Sequence, residues 1–297
     1  MIDLSKLTTE LRNPDTMNLD QMTPMEIAGI MNQEDGNVVA AIKEVIPSVA
    51  IAIEWATESL KSGGRIIYIG AGTSGRLGVL DAVECPPTFG VSKDLVVGLI
   101  AGGEKAFVEA VEGAEDSKTL CEEELKEIGL QKEDIVIGLA ASGRTPYVIY
   151  GLKYADSIGC KTVAIACNRG SDIGREAKLA IEPVTGPEVL TGSTRLKAGT
   201  AQKMILNMIS TGSMIGVGKV YENLMVDVKQ SNEKLVVRSQ NIVMTATDCS
   251  RERAKQELEK ADGHVKTAIL MILSGCDAAT AREKMEIAGG NIRKALK

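Results

Sequence analysis

The feature that most constrains the fold is a series of five short apolar runs separated by segments with helical spacing. The runs are continuous rather than alternating, as expected for strands that are covered by helices on both faces. Strand–helix alternation predicts an α/β fold with a doubly wound, five-stranded parallel sheet and right-handed crossovers. The predicted strands are residues 65–70, 95–101, 134–140, 162–167 and 179–184, and the helices between them include residues 75–84, 104–128 and 145–159.

Helical patterns flank the sheet at both ends. Thr23 as N-cap, Pro24 and Glu26 predict a helix start with a capping box. Pro47 should kink or split the helix predicted over residues 38–61. A long helix fits residues 195–217, residues 219–240 read as irregular, and a small helical bundle follows. We therefore predict an N-terminal helical arm (1–54), a sheet domain (55–218), a connecting segment (219–240) and a C-terminal helical subdomain (241–297).

Composition argues against several classes of partner. The net charge of −6 argues against a nucleic-acid partner, although backbone N–H groups can still hold an anion. None of the six cysteines forms a C-x-x-C pair, so we expect no metal. We see no signal peptide and no uncharged apolar stretch of ~20 residues, so we expect a cytoplasmic protein without a membrane partner. The single histidine, His264, lies in the helical bundle, so carboxylates, Lys or Tyr should move any protons.

One glycine-containing loop occurs twice. Gly-Ala-Gly-Thr-Ser-Gly-Arg at residues 70–76 aligns with Gly-Leu-Ala-Ala-Ser-Gly-Arg at residues 138–144. Each copy follows a predicted strand and is expected to open a helix, at the sheet edge where open α/β folds bind ligands.

The loops favour a phosphomonoester over a dinucleotide. The first copy satisfies G-x-G-x-x-G, but a dinucleotide site also needs an acidic residue about 20 positions later. Strand two ends in Ile-Ala-Gly-Gly, and Glu104 lies 34 residues beyond Gly70. The copies share a hydroxyl residue, Gly and Arg, rather than a pyrophosphate turn.

Glycines, helix N-termini and hydroxyl groups together form a phosphate site. The alternative is that these hydroxyl residues are ordinary helix caps. A third hydroxyl-rich helix start at residues 191–195 adds one more candidate. The candidate ligands are Thr73, Ser74, Arg76, Ser142, Arg144, Thr145 and Ser193.

The loops resemble those of the sugar isomerase (SIS) domain family. Residues 70–78, 81–87, 111–116, 140–146, 191–200 and 223–227 resemble, in order, the N-acetylmuramic acid 6-phosphate etherase family, so the resemblance covers nearly the whole chain. That family removes D-lactate from N-acetylmuramic acid 6-phosphate in the recycling of bacterial cell-wall sugars. It is similar to the glucokinase regulatory protein. The resemblance implies a homodimer, no cofactor and a C-terminal three-helix fold of the ubiquitin-associated type, and it adds Lys197 to the binding residues.

The resemblance also implies a catalytic pair, with Glu84 as the acid and Glu115 as the base. An alkyl ether is hard to hydrolyse, but the C1 aldehyde of the open-chain sugar acidifies the C2 proton. Loss of that proton lets the C3 lactyl oxygen leave, and water then adds at C3. We expect Glu84 to be buried at the end of its helix, which would favour a protonated acid. The alternative for both residues is helix-end surface charge.

Three other functions stay open. A phosphosugar isomerase would transfer a proton between C1 and C2 without a leaving group. A phosphosugar-sensing regulator would bind without chemistry, although the regulatory relative carries two such domains and this chain has one pair of loops. An NAD enzyme is the least favoured. Release of lactate separates the etherase from all three.

Overall fold

The computed structural model describes residues 7–109, 111–228 and 233–297. The chain forms two compact units, which we call the sheet unit (Met1–Val83 and Asp94–Ser210) and the helical unit (Glu84–Lys93 and Thr211–Lys297).

The sheet unit contains the predicted five-stranded parallel sheet. The strand order is β2-β1-β3-β4-β5, and all four pairings are parallel. The strands are β1 (Ile66–Gly70), β2 (Val96–Ile100), β3 (Ile135–Leu139), β4 (Lys161–Ile165) and β5 (Leu179–Ile181).

Two helices differ clearly from the prediction: the helix predicted over residues 75–84 is longer and spans Gly72–Phe89, and the helix predicted over residues 104–128 is broken. The helix predicted over residues 104–128 is interrupted, because the left-handed Gly113 (φ +75°) precedes a 3₁₀ turn at Ala114–Asp116. The helices are α1 (Pro24–Lys61), α2 (Gly72–Phe89), α3 (Lys105–Val108), α4 (Leu120–Glu127), α5 (Pro146–Ile158), α6 (Asp172–Glu176) and α7 (Lys197–Gly216); α2 and α7 run through both units.

Helices cover both faces of the sheet, as the doubly wound fold requires. Successive side chains of a strand point to opposite faces. Ile67 and Ile69 share a buried cluster with Val148 and Leu152 of α5. Tyr68, between those two isoleucines, instead faces α2 and donates a hydrogen bond to Asp81. α2 and α5 therefore lie on opposite faces, and the predicted fold class is confirmed.

Helix α1 begins with the predicted capping box at Thr23 and Glu26. It is not split at Pro47: the helix continues for 14 residues beyond that residue, which is exposed. One 18-residue window has a mean hydropathy of 1.6, so α1 is long and apolar enough to span a membrane by length and composition, a test that core helices of soluble proteins also pass. Lys43 and Glu44 interrupt the apolar stretch.

The helical unit has its own core. The segment predicted to be irregular contains an antiparallel pair, β6 (Val220–Tyr221) and β7 (Leu224–Met225), and the start of α8. The boundary predicted near residue 240 therefore falls inside α8. The remaining helices form the predicted bundle, although α8 begins before it, and they enclose an apolar cluster that includes Val243, Leu258 and Ile269. They are α8 (Glu233–Thr247), α9 (Arg251–Lys260), α10 (Val265–Ser274), α11 (Ala278–Ile287) and α12 (Ile292–Ala295).

Candidate phosphosugar site

The two related loops leave neighbouring strands at one edge of the sheet. Gly70 at the end of β1 pairs with Leu139 at the end of β3. The chain proceeds from β1 to β2 on one side and from β3 to β4 on the other. This is the topological switch point at which open α/β sheets bind their ligands.

The first loop places a helix N-terminus directly against the strand end. α2 begins at Gly72, whose φ of +53° favours glycine. A Cβ on Gly75 would lie 2.7 Å from the carbonyl oxygen of Gly70, so only glycine permits this close approach. The first N–H groups of an α-helix have no intrahelical acceptor and attract anions.

The polar side chains of the first loop are already engaged with their surroundings. Ser74 is 7% exposed, and its hydroxyl donates to Oε1 of Gln202 at 2.8 Å. A Cβ on Gly199 would lie 3.5 Å from the Thr73 methyl group, so Thr73 packs against α7. Arg76 Nε donates to the carbonyl oxygen of Phe107 at 2.9 Å.

The second loop occupies the equivalent edge position but has a different conformation. Ser74 lies within the first turn of α2, whereas Ser142 lies in a bend before α5. Pro146 begins α5 and disfavours a helical conformation at the N-cap, Thr145. Both hydroxyl residues are half-buried, and Thr145 makes no side-chain capping bond. Arg144 Nε lies 3.6 Å from the Asp172 carboxylate.

Asn168, which the sequence analysis missed, holds the second loop. Its Oδ1 accepts the Thr8 hydroxyl at 2.8 Å, and its Nδ2 donates to Thr9 Oγ1 at 3.0 Å. Nδ2 also lies 3.4 Å from the carbonyl oxygen of Ser142. Asn168 shortly follows β4 at the same sheet edge. That position after a strand could have identified it as a site residue from the sequence.

Two carboxylates of the same chain contact the third helix start at Lys197. Lys197 is 1% exposed, and its ammonium group pairs with the Glu34 carboxylate of α1. The Glu188 carboxylate accepts the backbone N–H groups of Lys197 and Ala198, each at 2.9 Å. Burial raises the pKa of Glu188. The N-terminus of α7 is therefore occupied by a carboxylate from this chain, and the phosphate-binding role of Lys197 stays a prediction. Ser193 is half-buried in the preceding loop.

The two catalytic candidates are both exposed in the single chain. Glu115 lies in the 3₁₀ turn Ala114–Asp116, which contacts α5. Glu84 belongs to the helical unit, and α2 continues through Pro86 and Pro87 to Phe89. The expectations that Glu84 is buried and ends its helix are therefore wrong for this chain; its acid role stays a prediction.

Asp81 is a second site residue that was not identified from the sequence. Its carboxylate accepts hydrogen bonds from Tyr68 Oη (2.9 Å), Asn207 Nδ2 (2.9 Å) and Ser210 Oγ (3.1 Å). Burial raises the pKa of Asp81, although these three donors oppose that shift. It joins α2 to β1 and α7 and so fixes the helix that carries the first loop.

Metal-ligating residues do not cluster in the part of the chain that the structure describes: no group of three or more His, Cys, Asp or Glu side chains is placed to hold an ion there. His264 is exposed at the N-cap of α10.

Two family models match the chain. The model of the glucokinase regulatory protein N-terminal SIS domain matches residues 48–156, and the SIS domain model matches residues 126–211.

Curated relatives match over nearly the full length. N-acetylmuramic acid 6-phosphate etherase of Halalkalibacterium halodurans is 59% identical over 99% of this chain and 98% of its own. The protein of the same name from Oenococcus oeni is 59% identical over 92% of both chains. That from Salmonella agona is 60% identical, again over 92% of both.

Solved structures share the fold over 65% of the chain. A phosphosugar isomerase of Bacteroides fragilis, described as involved in capsule formation, covers 65% of this chain and 91% of its own, with a TM-score of 0.51 and 21% identity. Phosphoheptose isomerase of Francisella tularensis covers 65% of this chain and 100% of its own, with a TM-score of 0.50 and 14% identity. At these identities the likeness shows the fold alone.

Proposed function

The chain belongs to the N-acetylmuramic acid 6-phosphate etherase family, and we propose that it removes D-lactate from N-acetylmuramic acid 6-phosphate to give N-acetylglucosamine 6-phosphate. It is a carbon–oxygen lyase that acts on a phosphosugar. The observation that carries this proposal is the identity of about 60% to etherases over more than nine-tenths of the chain. The isomerases that share the fold give the isomerase alternative no comparable support.

We propose that the phosphate binds at the sheet edge where the two loops meet. The free N–H groups at the start of α2 and the hydroxyl groups of Thr73 and Ser74 supply one side. Ser142 and Thr145 supply the other, with Ser193 as a further donor. Arg76 and Arg144 lie on the same loops and add positive charge. Backbone and hydroxyl donors suit a dianion because phosphate oxygens only accept hydrogen bonds.

The proposed chemistry needs one base and one acid. Glu115 takes the C2 proton of the open-chain sugar, and the electron pair forms the C2–C3 double bond as the C3–O bond breaks. Glu84 protonates the departing lactate oxygen. Water then adds at C3 and a proton returns to C2, so lactate leaves with its own oxygen. A carboxylate and a carboxylic acid are sufficient for both transfers.

We propose a homodimer as the functional state. Helix α1 exposes Val39, Ile46 and Ile51, and α2 exposes Leu80 and Val83. Exposed apolar side chains that recur along two helices are typical of an interface. Glu84 immediately follows Val83, so a partner seated on this part of α2 would exclude water from the acid.

The proposed setting is the cytoplasm, in the recycling of cell-wall amino sugars. We expect the reaction to need no metal, so lactate release should survive exhaustive treatment with EDTA. Loss of activity on chelation, restored by a divalent ion, would contradict this.

The direct test is release of D-lactate from N-acetylmuramic acid 6-phosphate. The Glu115→Gln and Glu84→Gln variants should each lower kcat by about 10²–10⁴-fold, the usual contribution of a general acid or base. Glu112→Gln, a change of the same kind three residues from Glu115, is the matched control and should stay within a few-fold of the wild type. If the wild type converts the sugar without releasing lactate, the etherase assignment is wrong.

A further inference from the structure

A buried amide beside the first loop has an unused donor. Gln202 on α7 is 0% exposed, and its Oε1 accepts the Ser74 hydroxyl at 2.8 Å. Its Nε2 has no hydrogen-bond partner among the residues that the structure describes. A buried NH₂ group without an acceptor is unfavourable, and such groups are rare in folded proteins.

The present orientation also commits Ser74. A serine hydroxyl has one proton and two acceptor lone pairs, and here the proton points to Gln202. Phosphate oxygens accept hydrogen bonds and donate none when the ester is fully ionised. In this arrangement, Ser74 therefore has no proton to offer a phosphate at the N-terminus of α2.

A half-turn of the amide reduces the first problem and removes the second. The two ends of a carboxamide have nearly the same shape, so the turn exchanges Nε2 and Oε1 without moving their neighbours. Nε2 then donates to Ser74 Oγ, and the serine proton is free to point elsewhere. One N–H group rather than two is left without an acceptor. A hydrogen bond to a charged oxygen is about twice as strong as a neutral one, so a bound dianion favours the turned state.

We propose that Gln202 is a positioning residue whose amide turns when a phosphate ester binds, so that Ser74 donates to the phosphate. This inference rests on the proposed phosphosugar substrate. It makes Gln202 a determinant of specificity, because a neutral hydroxymethyl group in place of the phosphate offers no charged acceptor to drive the turn.

A double-mutant cycle tests the proposal with N-acetylglucosamine 6-phosphate, the expected product, as the probe. Calorimetry would give its Kd for the wild type, Gln202→Met, Ser74→Ala and the double variant. Each single change should raise the Kd about tenfold, as for loss of one hydrogen bond to a charged group. The double variant should bind within about twofold of Ser74→Ala, because Gln202 acts only through Ser74. If Gln202→Met raises the Kd by the same factor in both backgrounds, or in neither, the proposal is overturned.

Asn207→Leu provides the matched control, since it removes another amide of α7, one that binds Asp81 rather than Ser74. Its effect on the Kd should multiply with that of Ser74→Ala. If its effect also vanishes in the Ser74→Ala background, the coupling is not specific to Gln202 and the proposal fails.

Gln202→Glu keeps the shape and gives a second test if the Met variant does not fold. As a carboxylate, the new side chain accepts from Ser74 but cannot donate, so at pH 8 the Kd should rise more than tenfold. A Kd equal to that of the wild type at pH 8 would overturn the proposal. Lactate release by the wild type is measured separately. Coupling here means that the effect of Gln202→Met on the Kd disappears in the Ser74→Ala background. Coupling without lactate release would refute the etherase function alone. Lactate release without coupling would refute the role of Gln202 alone.

Discussion

Asp81 illustrates how single buried polar residues set the geometry of the site. Its carboxylate takes three hydrogen bonds from β1 and α7 while lying on α2. The sequence could not identify this role, because the three donors come from residues 13, 126 and 129 positions away. Gln202 was missed for the same reason, because Ser74 lies 128 positions away. Asn168 had one signal in the sequence, its position shortly after β4.

The raised pKa of Asp81 predicts a pH-dependent contribution to stability. Burial disfavours the charged carboxylate and so raises its pKa in the folded chain, whereas in the unfolded chain the pKa lies near its ordinary value of 3.8. Asp81 should therefore stabilise the fold most below that pH, and its contribution should fall as pH rises through the higher folded-state pKa. We would measure urea unfolding of the wild type and Asp81→Asn from pH 3.5 to 7. As the pH rises, the unfolding free energy of the wild type should fall relative to that of the variant. A difference in unfolding free energy that is constant with pH would contradict this.

At the scale of elements, the sequence predicted what depends on local pattern. The five strands, the capping box at Thr23 and the C-terminal helices follow from periodicity and from cap residues. The sequence did not predict that α1 continues through Pro47, because the many backbone hydrogen bonds of a 38-residue helix outweigh the one that proline removes. Nor did it predict that the two copies of the loop differ, since Pro146 delays the second helix.

The buried ion pair between α1 and α7 gives a prediction at this scale. Lys197→Met would leave the Glu34 carboxylate without its cation, although Asn13 Nδ2 still donates to it at 2.8 Å. Removing one partner of a buried pair typically destabilises by about 3–5 kcal/mol, whereas replacing both is far less harmful. Denaturant unfolding should therefore show a large loss for Lys197→Met and recovery in the Glu34→Gln/Lys197→Met double variant. The exposed Lys43→Met is the control; a small loss for Lys197→Met would show that the pair is unimportant.

At the scale of the whole molecule, the exposed apolar face of α1 bears on assembly. The helix buries only 22% of its most apolar window within the chain. A second copy of the chain would cover this face, which is the state that we propose.

Light scattering should therefore give a mass near twice 31.5 kDa at working concentration. Ile46→Asp, which puts a charge in the middle of that face, should shift the mass toward the monomer because an unpaired charge is costly to bury. Lys61→Asp at the end of α1 is the control for added negative charge. A wild-type monomer, or a dimer indifferent to Ile46→Asp, would place the interface elsewhere or remove it.

Isotope labelling distinguishes cleavage of the lactyl ether by elimination and hydration from displacement at the lactate carbon. Turnover of N-acetylmuramic acid 6-phosphate in ¹⁸O-labelled water, followed by mass spectrometry, shows which bond breaks. Because the C3–O bond breaks and water adds at C3, we expect ¹⁸O on the sugar and none on the lactate. In D₂O the sugar should also carry deuterium at C2. Label on the lactate, with C2 unlabelled, would mean displacement at the lactate carbon and would contradict the mechanism.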